Sequence, residues 1–199
     1  MKKMDKIIIE EAKDYIGDLF KNDSGGHDAD HSLRVYNNAL KIFNEEGNGD
    51  LEIISLAALL HDSDDHKLFE TKDNANARRF LNDHDIDEEK IERICETINS
   101  VSFSQNRGRR PVTIEAMIVQ DADRLDAIGA IGIARTFAFG GEHKRPLSSS
   151  VQHFYDKLLL LKDEMNTQTG KKLAQDRHMF MEEFLRRYFN EAELNENNG

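Results

Sequence analysis

The apolar run Leu56-Ala57-Ala58-Leu59-Leu60 stops at His61-Asp62 and passes into Ser63-Asp64-Asp65. A helix apolar on every side belongs inside a core, so its polar end carries an imidazole and a carboxylate next to buried surface. An unpaired buried carboxylate is strongly disfavoured, and a divalent cation held by both groups removes that penalty. The rest of such a site can be read on either side, in Asp30-His31-Ser32-Leu33-Arg34-Val35 and in Gln120-Asp121-Ala122-Asp123-Arg124-Leu125-Asp126. Imidazoles ligate in their neutral form, and carboxylates offset part of the cation's charge. Two of each suit Mn, Fe, Co, Ni or Zn better than the all-oxygen shells of Ca or Mg.

The chain around these residues reads as helix almost throughout. It has only 2 prolines and no tryptophan in 199 residues, and its apolar residues recur at spacings of three and four. A first helix is expected over 5–20, with Ile8, Ala12, Ile16 and Phe20 on one stripe. A turn follows at 22–26, then a helix from about 28 that carries Leu33, Val35, Tyr36, Ala39, Leu40 and Phe43 up to Gly47-Asn48-Gly49. Asp50 is the expected cap of the third helix, which ends at His61. Helices over 73–83 and from Asp87 through Ile98 come next, the second with Glu88 and Glu89 in its first turn. A basic loop at 102–110, one long helix over 111–139 ended by Gly140-Gly141, a loop at 142–150 and two closing helices at 149–166 and 170–194 complete the reading. The long helix has an unusually small surface at Ala127, Gly129, Ala130 and Gly132, which tight packing of a neighbouring helix would explain.

Composition narrows the partners. The formal net charge of -11 argues against polymeric nucleic acid, which calls for a basic footprint. A small phosphorylated ligand stays compatible, because a cation and a few local arginines reverse the field inside a cleft. The lone Cys95 precludes an internal disulfide and fits a reducing, cytoplasmic setting. No apolar run approaches the roughly 20 residues of a membrane span, and the N-terminus lacks the pattern of a signal peptide. One domain over 1–194 is expected, with a polar tail at 195–199; oligomeric state is left open, a homodimer included.

Periodicity leaves the fourth ligand undecided. Asp121 and Asp123 point about 200° apart on a helix, so both cannot ligate easily. Asp121 neighbours Leu125 and Ile128, whereas Asp123 neighbours Val119 and Asp126.

The ordered set of His31, then Ala57-Ala58-Leu59-Leu60-His61-Asp62, then Ala122-Asp123-Arg124-Leu125 resembles the HD-domain metal-dependent phosphohydrolase superfamily. The longer string from Gln120 to Ala130 is similar to a small bacterial single-domain subgroup that includes nucleotide hydrolases. The resemblance covers at least 27–138. It implies an all-α, single-domain helical bundle with the metal in its core, held by His31, His61, Asp62 and Asp123. That choice leaves Asp121 and Asp126 to orient His31, His61 or an arginine. It implies a proton-handling role for Asp65, three residues after Asp62. Phosphoryl chemistry also needs positive charge beyond the metal. Arg34 lies one turn after His31; Lys67, Arg124 and the loop arginines Arg107 and Arg109 (with Arg110) are the other candidates, and His27 lies one turn before His31. The resemblance implies one divalent metal, manganese first and Fe, Co, Ni, Zn or Mg as alternatives. The implied substrate is a nucleotide: first a (deoxy)nucleoside triphosphate cleaved to monophosphate and pyrophosphate, second a nucleoside monophosphate. Rival readings are a phosphodiesterase of cyclic or signalling nucleotides and a non-catalytic metal- and nucleotide-binding regulator.

Overall fold

The computed structural model describes residues 3–21, 29–66, 68–101 and 110–192. His27, Lys67, Arg107, Arg109, the turn at 22–26 and the tail from 195 lie outside the described residues. The described chain is all-α, with no strand among the described residues. Two compact units are distinguished, Met1–Asp123 and Arg124–Gly199. No described helix is long and apolar enough to cross a membrane.

In the first unit, α1 (Lys3–Leu19), α2 (Ala29–Glu46) and α5 (Glu88–Val101) pack around α3 (Leu51–Leu60), and α4 (Ala75–Asp83) packs on α5. The expected stripe of α1 is the observed one, since Ile8, Ala12, Ile16 and the following Phe20 are all buried. On α2 the buried face is His31, Val35, Tyr36, Ala39 and Ile42, with Ser32 beside it. Leu33, Leu40 and Phe43, read from the sequence as part of that stripe, are only half-buried. From Ile53 to Leu60 every residue of α3 is buried. A helix enclosed on all sides has no polar face of its own, so its ends carry all its polar contacts.

The N-terminal end is closed by Asp50, whose carboxylate accepts from the backbone N–H groups of Glu52 (3.0 Å) and Ile53 (3.4 Å). The backbone N–H of Asp50 in turn donates to Glu115 at 2.9 Å. Replacing Asp50 with alanine orphans those donors and is expected to lower stability by about 1 kcal/mol. A thermal unfolding curve checks this, with a fall in melting temperature of about 2–4 °C.

The helix α6 (Ile114–Asp126), which starts in the first unit, carries Asp123 near its C-terminal end. The expected single helix over 111–139 is in fact two. The chain breaks at Ala127-Ile128, where Ile128 is extended (φ -125, ψ 167), and α7 (Gly129–Glu142) starts on Gly129 at φ +75. Gly132 serves the break, because a side chain there would meet the backbone oxygen of Ala127 at 2.2 Å, while Gly129 lets a neighbouring helix close in, because a side chain there would meet Arg177 at 3.0 Å. Gly140 and Gly141 do not end the helix but lie within α7.

In the second unit, α7 packs on α8 (Leu147–Asp156) and on α9 (Gln168–Glu191), and a 3-10 helix, Leu158–Glu164, lies against α8 and α9. The expected helix over 149–166 is thus α8 plus a 3-10 segment, and the loop expected at 142–150 shrinks to 143–146. Thr167 caps α9 by accepting from Gly170 N–H at 2.9 Å.

Candidate metal centre

His31 sits on the first turn of α2, four residues before Val35, and that spacing turns its imidazole onto the core face (residue 4 % exposed). His61 and Asp62 sit at the polar end of α3, where the helix gives way to turns. Asp123 comes from the penultimate turn of α6. Residues some 30 and 60 positions apart thereby meet within the first unit.

The Nδ1–H of His61 donates to the Ala58 carbonyl at 2.9 Å. A carbonyl only accepts, so the neutral ring carries its lone pair on Nε2. That Nε2 lies 3.2 Å from the Nε2 of His31, with the two rings edge to face at 69°. Asp62 bridges the pair, its Oδ1 being 3.4 Å from His61 Nε2 and its Oδ2 3.5 Å from His31 Nε2. Asp123 Oδ1 lies 3.4 Å from His31 Nε2 and 3.9 Å from His61 Nε2.

These separations fit one cation. Bonds of about 2.0–2.2 Å to N and O ligands put neighbouring donors of a tetrahedral or octahedral shell about 3.0–3.5 Å apart. Two imidazole nitrogens aimed at each other, with two carboxylates beside them, are the donor set such an ion needs. One ligand atom from each of His31, His61 and Asp123 lies within 4.8 Å of the others, and no second such cluster occurs among the described residues. Burial acts to raise the Asp123 carboxyl pKa, but its hydrogen-bond and electrostatic contacts with the His31 and His61 imidazoles outweigh it. The net direction is downward, and the group is poised as a carboxylate.

The choice between the two acids of α6 is settled by orientation. Asp123 faces the imidazoles, with Oδ1 3.4 Å from His31 Nε2, whereas Asp121 is fully buried. Asp126, which belongs to the second unit, is buried and pairs with Arg135 of that same unit. Arg124, expected at phosphate, is buried instead, donating to the Glu164 carbonyl and pairing with its carboxylate at 3.4 Å. Arg34 is half-buried on α2, one turn beyond His31.

Asp65 is reached by a tight turn rather than by a continuing helix. Its N–H donates to the Asp62 carbonyl at 3.1 Å, and its side chain is 16% exposed. That bond keeps Asp65 within one turn of chain from Asp62.

Three supporting groups went unnoticed in the sequence. Asn38 donates to the carbonyl of Ala122, next to Asp123, at 3.2 Å; its position seven residues after His31 on the same helical face was a usable signal. Gln120 donates to the Ser100 carbonyl at 2.7 Å. Asp64 accepts from the backbone N–H groups of Asn76 (2.9 Å) and Ala77 (3.1 Å), and no local pattern announces that.

Comparison with known proteins agrees with this geometry. The HD domain family matches residues 28–128, a span that holds His31, His61, Asp62 and Asp123. YpgQ from Bacillus subtilis is 40% identical over 186 residues, 89% of this chain and 90% of YpgQ. The crystal structure of YpgQ in complex with ADP superposes with a TM-score of 0.82, covering 94% of this chain and 96% of YpgQ at 34% identity. That of an HD-superfamily hydrolase from Bacillus thuringiensis superposes with a TM-score of 0.80, covering 96% of this chain and all (100%) of that one at 37% identity. The chain, with its paired imidazoles and carboxylates gathered at the end of a buried helix, belongs to the HD domain family.

Proposed function

We propose that this chain is a divalent-cation-dependent phosphohydrolase acting on a nucleotide, with His31, His61, Asp62 and Asp123 as the metal ligands. The observation that carries the reading is the cluster of Nε2 and carboxylate oxygens at 3.2–3.5 Å, completed by the 3.9 Å contact of His61 with Asp123. The B. thuringiensis relative is an HD-superfamily hydrolase, and YpgQ was crystallised with ADP. Both support a phosphorylated, nucleotide-like substrate.

The first reaction proposed is cleavage of a (deoxy)nucleoside triphosphate. Water attacks the α-phosphorus, the bond from that phosphorus to the α–β bridging oxygen breaks, and monophosphate and pyrophosphate result. A divalent cation held by His31, His61, Asp62 and Asp123 would supply Lewis-acid polarisation of a phosphoryl oxygen and a lowered pKa of nearby water. Asp65, whose N–H is bonded to the Asp62 carbonyl, takes the proton of the attacking water. Arg34, on the face of α2 that carries His31, meets negative charge that grows on the phosphoryl oxygens. The Ala58 carbonyl favours the Nδ1–H tautomer of His61, which would leave Nε2 to hold the cation and not to donate a proton.

A panel of nucleotides tested with Mn²⁺ and with chelator decides the matter. The expected result is release of pyrophosphate from triphosphates that stops when the metal is stripped and returns when it is restored. Turnover of cyclic dinucleotides but not triphosphates would replace the reaction with phosphodiester hydrolysis. If nucleotide raised the melting temperature while no substrate was cleaved, the chain would be a binding protein.

A further inference from the structure

The turn that carries Asp62 is tied down by groups that neither face the imidazoles nor line the cluster. Ser63 is fully buried, and its hydroxyl donates to the Leu60 carbonyl at 2.8 Å, with Asp64 Oδ2 3.2 Å away. Its carbonyl accepts from the side-chain amide of Asn76 at 2.8 Å. The carboxylate of Asp64 then takes the first free N–H groups of α4, one on each oxygen: Asn76 on Oδ1 and Ala77 on Oδ2.

This arrangement replaces a local cap that the sequence already offers. Asn74 stands at the N-cap of α4 and is of a residue type that caps well, yet its side chain makes no capping bond. It donates to Asn99 at 3.1 Å instead. Both Asp73 and Asn74 hold a left-handed backbone at φ 55, a conformation that Asp and Asn adopt more readily than other residues with a Cβ. Here the pair precedes the start of α4, whose N–H groups bond Asp64, and a carboxylate is the side chain that a helix N-terminus favours.

We propose that Asp64, with Ser63 and Asn76, is a positioning latch: it fastens the turn at 61–64 to the N-terminus of α4 and so sets where Asp62 stands beside the two imidazoles. The latch rests on the metal-site reading given above. It makes metal affinity depend on a residue that is not a ligand, as groups supporting a ligand commonly do.

The test is titration of the purified full chain with Mn²⁺, followed by calorimetry or by the electron paramagnetic resonance of free Mn²⁺, so that no activity is needed. Asp64→Ala is expected to bind Mn²⁺ about 10- to 100-fold more weakly than wild type, with hydrolysis recovering at saturating Mn²⁺. Asn76→Ala keeps the charge of Asp64 but removes a bond to the turn; a several-fold loss there separates the latch from the loss of a nearby negative charge. Asn82→Gly weakens α4 at an exposed position away from the turn and is expected to leave affinity within about two-fold of wild type. The latch is overturned if Asp64→Ala melts lower yet binds as wild type does, if Asn76→Ala binds unchanged, or if Asn82→Gly weakens binding as much. If Asp64→Ala does not fold, Asn76→Ala alone decides. Wild type that binds no Mn²⁺ fails the metal site and the latch together, whereas binding that is indifferent to both latch variants fails the latch alone.

Discussion

His61→Ala is expected to lose bound metal and hydrolysis together, with kcat/KM falling by roughly three orders of magnitude, because a Lewis-acid cation contributes several kcal/mol to phosphoryl transfer. The variant removes the Nε2 that lies 3.2 Å from His31 and 3.4 Å from Asp62. The remaining imidazole and two carboxylates lose one corner of the donor set, and the ring's own anchor at Ala58 goes with it. The loss is chemical more than architectural, since His61 lies just beyond the last residue of α3 and the helix ladder stays complete. Circular dichroism should therefore remain helical while Mn²⁺ titration goes flat. His84→Ala is a fitting control: His84 stacks on Phe80 and pairs with Glu11, and its removal should leave turnover near wild type. Chelation of the wild-type chain should reproduce the His61→Ala rate, and added Mn²⁺ should rescue the wild type only. Turnover retained in His61→Ala refutes the assigned ligand set.

Gly132→Ala is expected to give the largest loss of stability among single-methyl additions, about 3 kcal/mol or more. The added carbon would fall 2.2 Å from the Ala127 oxygen and 2.6 Å from its carbonyl carbon. Backbone cannot swing aside as a side chain does, so either the start of α7 or the end of α6 must shift. For a chain of this size the melting temperature should drop by about 6–12 °C. Gly17→Ala makes the paired comparison, because it lies inside α1 with nothing within 4 Å of the added carbon. There the better helix propensity of alanine acts alone, and a gain of up to about 1 kcal/mol is expected. Differential scanning of the two variants should move in opposite directions. A Gly132→Ala chain as stable as wild type would show that the α6–α7 junction yields.

The same pair of glycines shows where sequence reading works and where it stops. Apolar spacing identified the stripe of α1, the buried α3 and the Asp50 cap because each is written within one or two turns of chain. The break between α6 and α7 is written in the same alphabet, but Gly129 can continue a helix or leave it. Its φ of +75 and its close approach to Arg177, whose Cβ would be 3.0 Å from an added carbon, are decided by what packs there. Arg124 shows the same limit from the side of charge: adjacency to Asp123 pointed to phosphate, yet its guanidinium is buried on Glu164. Asn76 and Asp64 are twelve residues apart and their hydrogen bonds run between a turn and a helix end, so no periodic signal joins them.

What the sequence by itself determined is the helical character of the chain and the kinds of ligand available: imidazoles and carboxylates in order, at the ends of apolar segments. Those properties follow from spacings of three and four and from the chemistry of single side chains, which are local. Only the tertiary structure decided that Asp123 lies beside the imidazoles, and that Nε2 of His31 and His61 stand 3.2 Å apart. Distances across a core depend on how helices distant in sequence pack, and packing is a property of the whole set of contacts, not of any one stretch.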